Sequence, residues 1–187
     1  MKPTDCDRMF NRSSIVDIAA TLEKNGVMLD TSKAPNLYAI FNLTTTKRVP
    51  PISAESSDSL ELAFAWNKLE TIDKLILKSD GTNTFKSTFS GADLLKNITV
   101  EGVIGNDIDF GSCTKLTRAS IESIVNALSD TASGKTITFS ESAVDDAFLF
   151  IWDVVDENGD PMFTVGSMSI VWRDLERTKP NWTITLV

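Results

Sequence analysis

Short apolar alternations recur along this chain, each set between polar or small residues. Leu75-Ile-Leu77, Ile98-Thr-Val100, Ile137-Thr-Phe139 and Ile184-Thr-Leu186 share one in-out-in pattern, which predicts a short strand apiece. One stretch repeats itself more fully. Phe89-Ser-Gly-Ala-Asp-Leu-Leu95 is followed 21 residues later by Phe110-Gly-Ser-Cys-Thr-Lys-Leu116, and both copies place a Phe six positions before a Leu. A period of about 20 residues with one strand per unit predicts an α/β fold. The expected form is a short solenoid whose strands stack as one parallel sheet facing a single core, with helices flanking the ladder.

The remaining elements follow from the same patterning. Residues 1–12 are polar and read as an arm or extended tail. Ser14 to Lys24 carries Ile15, Ile18, Ala19 and Leu22 on one helical face, with Ser13 or Ser14 as the cap and Asn25-Gly26 as the stop. Leu37 to Leu43 reads as a mostly buried strand. Lys47-Arg48-Val-Pro50-Pro51 and the Ser/Glu/Asp-rich run to Ser59 read as a linker. The predicted division is therefore an N-terminal segment at 1–60 (attachment or cap) and a repeat domain at 61–187. Leu60 to Leu69 fits helix or strand equally. Thr117 to Asp130 is the clearest helix, with Ile121, Ile124, Val125 and Leu128 in one stripe and Thr117 as N-cap. Asp145 to Val165 reads as a β-hairpin inserted near residues 148–165, turning at Asn158-Gly159. Ser167 can cap a last helix through Arg177, before a closing strand at Asn181 to Val187.

Composition narrows the function classes. The chain has 187 residues, 42% of them hydrophobic, enough for a sizeable core. Its net charge is -8 and it has no histidine. An acidic chain without a long Lys/Arg cluster points away from nucleic acid and from anionic membranes. Met1-Lys-Pro-Thr-Asp-Cys-Asp has no apolar core segment, so no secretory signal peptide is predicted, and no window has the apolar length of a membrane span. Cys6 and Cys113 do not make a disulfide framework; Cys113, between Phe110 and Leu116, suits a buried thiol in a tight turn.

Two segments resemble a known family. Phe110-Gly-Ser-Cys113-Thr-Lys-Leu116 and Phe89 through Leu95-Lys-Asn-Ile98-Thr-Val100 look like the Phe-x-x-Cys-x-x-Leu-x-x-Ile-x-Ile units of BspA-like leucine-rich repeats. The block from Leu116-Thr-Arg-Ala-Ser-Ile121 to Asp130, with the ending Lys179-Pro-Asn-Trp182-Thr-Ile-Thr-Leu186, resembles repeat domains in structural proteins of tailed bacteriophages and their gut-bacterial relatives. There a Leu-Thr-x-x-Ser helix precedes a strand and a Lys-x-x-Trp-Thr motif closes the domain. The likeness covers roughly residues 70–187; residues 1–60 match no such pattern. It implies a non-catalytic, leucine-rich-repeat-like component of a virion, made in the host cytoplasm, whose partners are other virion subunits in a homo- or hetero-oligomer. The rival expectation is a host-receptor-binding fibre tip or a bacterial surface adhesin.

Candidate chemistry is sparse. Without histidine a Ser-His-Asp or Cys-His arrangement cannot form, and a typical zinc site is not expected. Asp156-Glu-Asn158-Gly-Asp160 alternates oxygen ligands as a calcium loop does, but its glycine is misplaced for an EF-hand and a hairpin turn explains it. Gly102-Val-Ile-Gly105 lacks the spacing of a phosphate loop. Asp145 and Asp146 could serve glycoside hydrolysis only if carboxylates converged in a cleft; charged surface is the ordinary explanation. Trp66, Trp152, Trp172 and Trp182 fit either a stacking surface or core filling, with Trp182 on the core side of its strand. No catalytic, cofactor-binding or metal-binding residue is therefore assigned, and no enzyme is expected.

Overall fold

Six phenylalanines stack in one column through the protein. In the computed structural model, which describes residues 3, 5–148, 154–155, 161–162 and 177–187, the rings of Phe10, Phe41, Phe64, Phe89, Phe110 and Phe139 succeed one another at centroid distances of 5.3, 5.8, 5.5, 4.4 and 5.9 Å. Such steps are close to the roughly 4.8 Å between neighbouring parallel chains, so each ring marks one level of hydrogen-bonded backbone. The elements around the column make a mixed α/β fold of helices and parallel strands in sheets.

The first four levels are built alike. Each Phe sits at the centre of a ribbon of consecutive turns, such as Leu37–Ile40 and Ala39–Asn42, closed by Ile40 N–H to Leu37 O and Asn42 N–H to Ala39 O. Residues two before and two after the Phe have positive φ: Arg8 and Arg12, Ala39 and Leu43, Leu62 and Trp66, Ser87 and Gly91. That geometry sends alternate N–H groups to the next level. Arg8, Phe10 and Arg12 donate to Tyr38, Ile40 and Asn42; Ala39, Phe41 and Leu43 donate to Glu61, Ala63 and Ala65; Leu62, Phe64 and Trp66 donate to Lys86, Thr88 and Ser90. In the first three ribbons alternate donors close turns and tie levels together, so a buried non-strand backbone is still satisfied.

These ribbons correct three expectations. Leu37 to Leu43 is not a strand: its apolar run supplies Leu37, Ile40 and Phe41 to the core from a left-handed-kinked ribbon. Residues 6–13 are not a free arm, since they form the first ribbon and Phe10 lies flat on Phe41. The helix that follows, α1 (Ile18–Lys24), begins four residues later than its pattern suggested because Asp17, not Ser13 or Ser14, accepts from Ala20 N–H at the cap. Ile15 is left partly exposed outside it.

The other wall of the core is a parallel sheet. The stretch read as a linker contributes β1 (Arg48–Val49) and β2 (Ile52–Ser53), both paired with β3 (Thr71–Ile76), and β3 pairs in turn with β4 (Asn97–Glu101). Pro50 and Pro51 separate β1 from β2 at this edge. The phenylalanine column and the interlevel hydrogen bonds continue across residues 60 and 61.

After β4 the construction changes. β5 (Ile108–Phe110), β6 (Lys135–Phe139) and β9 (Trp182–Leu186) form a second parallel sheet, in register Ile108–Ile137–Ile184 and Phe110–Phe139–Leu186. The four predicted strands are thus parallel but lie in two sheets, not one, because β5 and β6 carry Phe110 and Phe139, with Leu186 of β9 beside Phe139, whereas β3 and β4 follow their phenylalanines. Where the next strand of the first sheet would run stands α2 (Arg118–Asn126), whose Ser120 and Ser123 hydroxyls accept the β4 N–H groups of Ile98 and Val100 at 3.0 and 2.9 Å. Ile121, Ile124, Val125 and Leu128 are buried as the stripe predicted. A third helix, α3 (Glu141–Phe148), packs against α2 and takes residues 145–148 out of the expected hairpin, burying Val144 and Phe148 one turn apart. Among the described residues the hairpin is β7 (Val154–Val155) paired antiparallel with β8 (Pro161–Met162). The Asn158-Gly159 turn and the helix expected from Ser167 lie outside the described residues.

Candidate interaction surface

The ribbons present two outward columns. Three residues before each Phe stand Asp7, Tyr38, Glu61 and Lys86; two after it stand Arg12, Leu43, Trp66 and Gly91. In the first column the Arg8 guanidinium lies 4.7 Å over the Tyr38 ring and Lys86 pairs with Glu61 at 2.8 Å. The hydrogen bond that Lys86 donates to Glu61 raises the Lys86 pKa above the ordinary lysine value. In the second column Leu43 and Trp66 are 42% and 53% exposed. Their backbones are hydrogen-bonded to the next level, so the side chains stand out from a fixed frame.

Trp66 lies across Gly91. A Cβ at Gly91 would fall 2.4 Å from Trp66 Cδ1, and Gly91 has φ of +65°. Both the left-handed backbone and the indole above it require glycine there. The result is a flat aromatic plate whose inner face rests on the fourth ribbon.

The sheet face is different in kind. Its charges tie successive levels to one another: Arg48 forks onto Asp73 with both contacts at 2.8 Å, Lys74 meets Glu101 at 2.6 Å, and Glu70 lies between Lys47 and Lys96 at 3.2 and 2.9 Å. Hydrogen bonds from Lys96 and then Lys47 hold the Glu70 carboxyl below the usual carboxylate range. Interface centres are depleted of charge and enriched in Trp, Tyr and Arg, which favours the exposed Leu43 and Trp66 of the ribbon face over the ion-paired sheet face.

Where the ribbons meet the second sheet, an open hollow of ≈ 420 Å³ is lined by Lys86, Asn106, Asp107, Asp109, Thr136 and Thr138 among others. Its two carboxylates are already engaged, Asp107 by Thr136 N–H and Asp109 by Gly111 N–H, each at 2.7 Å. Asn106 reaches the Gly81, Thr82 and Asn83 carbonyls and accepts from Lys135 Nζ. The lining holds levels together.

The residues singled out from sequence mostly have structural positions. Cys113 is buried and unpaired, as is Cys6. Burial, with Asp5 nearby, pushes the Cys6 thiol up to about 11, and burial raises Cys113 further. Gly102 lets β4 approach Leu77, since a Cβ would sit 2.3 Å from Leu77 O. Asp145 and Asp146 are on α3. Lys179, Asn181 and Trp182 converge on the loop after α2: Lys179 Nζ donates to Leu128 O and Asp130 at 2.6 Å each, and Trp182 Nε1 donates to Ser129 O at 2.9 Å. Trp182 is buried; Trp152, Trp172 and Asp156 to Asp160 lie outside the described residues. Among the described residues no group of three or more His, Cys, Asp or Glu could hold a metal, and no helix is long and apolar enough to cross a membrane. Trp66, weighed from sequence as either surface or core, is on the surface; what the sequence reading missed is Leu43 and its alignment with Trp66, because nothing in either residue marks a positive φ.

Compared with models of known protein families, with curated proteins and with solved structures, the chain matches none.

Proposed function

We propose that this protein is a non-enzymatic structural or adaptor component of a bacteriophage particle. It is read as a short leucine-rich-repeat-like solenoid that acts by protein–protein contacts. The observation that carries the reading is the registered aromatic column: a stiff stack, tied level to level, holds Tyr38, Leu43 and Trp66 outward on hydrogen-bonded backbone. A preorganised surface loses little entropy on docking, which is what a particle subunit needs from a small contact area. The particle assignment itself comes from the likeness of the Leu116–Asp130 and Lys179–Leu186 blocks to phage structural domains. Within the fold, Ser120, Lys179 and Trp182 of these blocks each make a hydrogen bond that ties neighbouring elements together.

A host-receptor-binding module is the second reading, favoured by the Trp66 plate, since a half-exposed indole fixed over a glycine is also a stacking platform for a ligand. Mass spectrometry of purified particles tests the first reading: the protein should be present at stoichiometric level. Its absence from particles would overturn the assignment. Location at an outer tail tip, with loss of host adsorption on Trp66→Ala, would favour the second.

A further inference from the structure

The two sheets treat their outer edges in opposite ways. In the first sheet, β1 and β2 are interrupted by Pro50-Pro51, flanked by Lys47, charged at Arg48 and packed against α1. Prolines, charges and a covering helix are the means by which edge strands are kept from pairing with other chains. Among the described residues β9 has none of them: Trp182-Thr-Ile-Thr-Leu-Val187 carries no charged side chain and no proline, and Leu186 and Val187 are 37% and 65% exposed.

Its free hydrogen-bonding groups can be assigned. Val187 N–H donates to Phe139 O at 3.0 Å and Val187 O accepts from Glu141 N–H at 2.8 Å. Thr183, Thr185 and Val187 therefore face β6, while Ile184 and Leu186 turn their N–H and C=O groups away from it. Among the described residues nothing bonds to those four groups, and β6 is the one strand paired with β9.

We propose that β9 is a pairing edge for a second copy of this chain, antiparallel about a two-fold axis at Thr185. In that arrangement Ile184 of each copy faces Leu186 of the other, and each pair exchanges two hydrogen bonds, using all four free groups. The strand is its own complement: aliphatic meets aliphatic, Thr185 meets Thr185, and Val187 meets Thr183. The net charge of -8 opposes indiscriminate association, so an uncharged edge restricts pairing to this line. The inference rests on the edge alone and stands independently of the particle reading.

Sedimentation equilibrium of the full chain should show a monomer–dimer equilibrium that Thr185→Lys shifts strongly to monomer with its circular dichroism unchanged. Thr185 and its symmetry mate form a non-hydrogen-bonded pair with Cα atoms about 4.5 Å apart, within disulfide range. Thr185→Cys should therefore cross-link to a covalent dimer under mild oxidation, much faster than Thr183→Cys on the same strand face. A protein monomeric at every soluble concentration, a dimer unaffected by Thr185→Lys, or equal cross-linking of the two cysteine variants would each overturn the proposal. Should Thr185→Lys fail to fold, the cysteine pair decides alone.

Discussion

Phe89 and Phe110 stack with centroids 4.4 Å apart, the shortest step in the column, where the backbone changes from ribbon to strand. The ribbon N–H groups of Ser87, Phe89 and Gly91, which at earlier levels would reach the next chain, make no backbone hydrogen bond among the described residues. Between this ribbon and β5, ring stacking stands where earlier levels have backbone hydrogen bonds. Phe89→Ala and Phe110→Ala should each cost about 3–5 kcal/mol in urea unfolding. The double variant should cost measurably less than their sum, because the second loss falls on a contact already gone. Additive losses would mean the rings act independently.

Ser120→Ala removes the acceptor for Ile98 N–H and the donor to Lys96 O. A buried donor left without a partner costs about 1–3 kcal/mol, and amide exchange at Ile98 should accelerate more than at Ile72, whose strand is paired on both sides. Unchanged protection at Ile98 would show that α2 does not terminate the sheet in this way.

Much of this construction was legible in the sequence and some was not, for identifiable reasons. The strands β4, β6 and β9 and the helix α2 announce themselves by period and cap; burial follows in β4, β6 and α2, while in β9 it holds for Trp182 and fades to an exposed Leu186. The in-out-in pattern gives a strand's inward face but not which wall of the core it builds, so two sheets looked like one. The ribbons are invisible because, apart from Gly91, their positive-φ positions are held by Arg, Ala, Leu, Trp and Ser, not by the glycines that would mark them. Interlevel hydrogen bonds, which no single segment encodes, offset that local strain. Val144 and Phe148 have helical spacing, but the apolar run continuing into residues 149–155 masks it.

Alkaline pH should destabilise the fold through Cys6. Burial raises its folded pKa from 9.0 to about 11, so the folded state holds the proton more tightly than the unfolded chain. The associated stability is fully present below about pH 9 and is lost as pH rises toward 11. Stability measured from pH 8 to 11 should fall less steeply in Cys6→Ala than in the wild type, whatever the variant's absolute level. Parallel slopes would exclude the thiol as a source.

Deleting residues 1–25 should unfold or severely weaken the protein. The segment supplies Cys6, Ile18 and Ala19 to the core, stacks Phe10 on Phe41 and bonds the second ribbon through Arg8, Phe10 and Arg12. Burial of Ile18 alone is worth about 1.5–3 kcal/mol. A truncated chain with a wild-type unfolding midpoint would show the first level to be dispensable.

The most direct test of the account is the pair Leu43→Asp and Trp66→Asp, placed singly and together in the particle-forming system that the proposed function calls for. Both side chains are exposed while their backbones stay bonded to the next level, so the purified variants should unfold within about 0.5 kcal/mol of wild type. Quantified by mass spectrometry of purified particles, incorporation of the double variant should fall at least tenfold. Normal incorporation of a folded double variant would contradict the claim that the ribbon face is the docking surface.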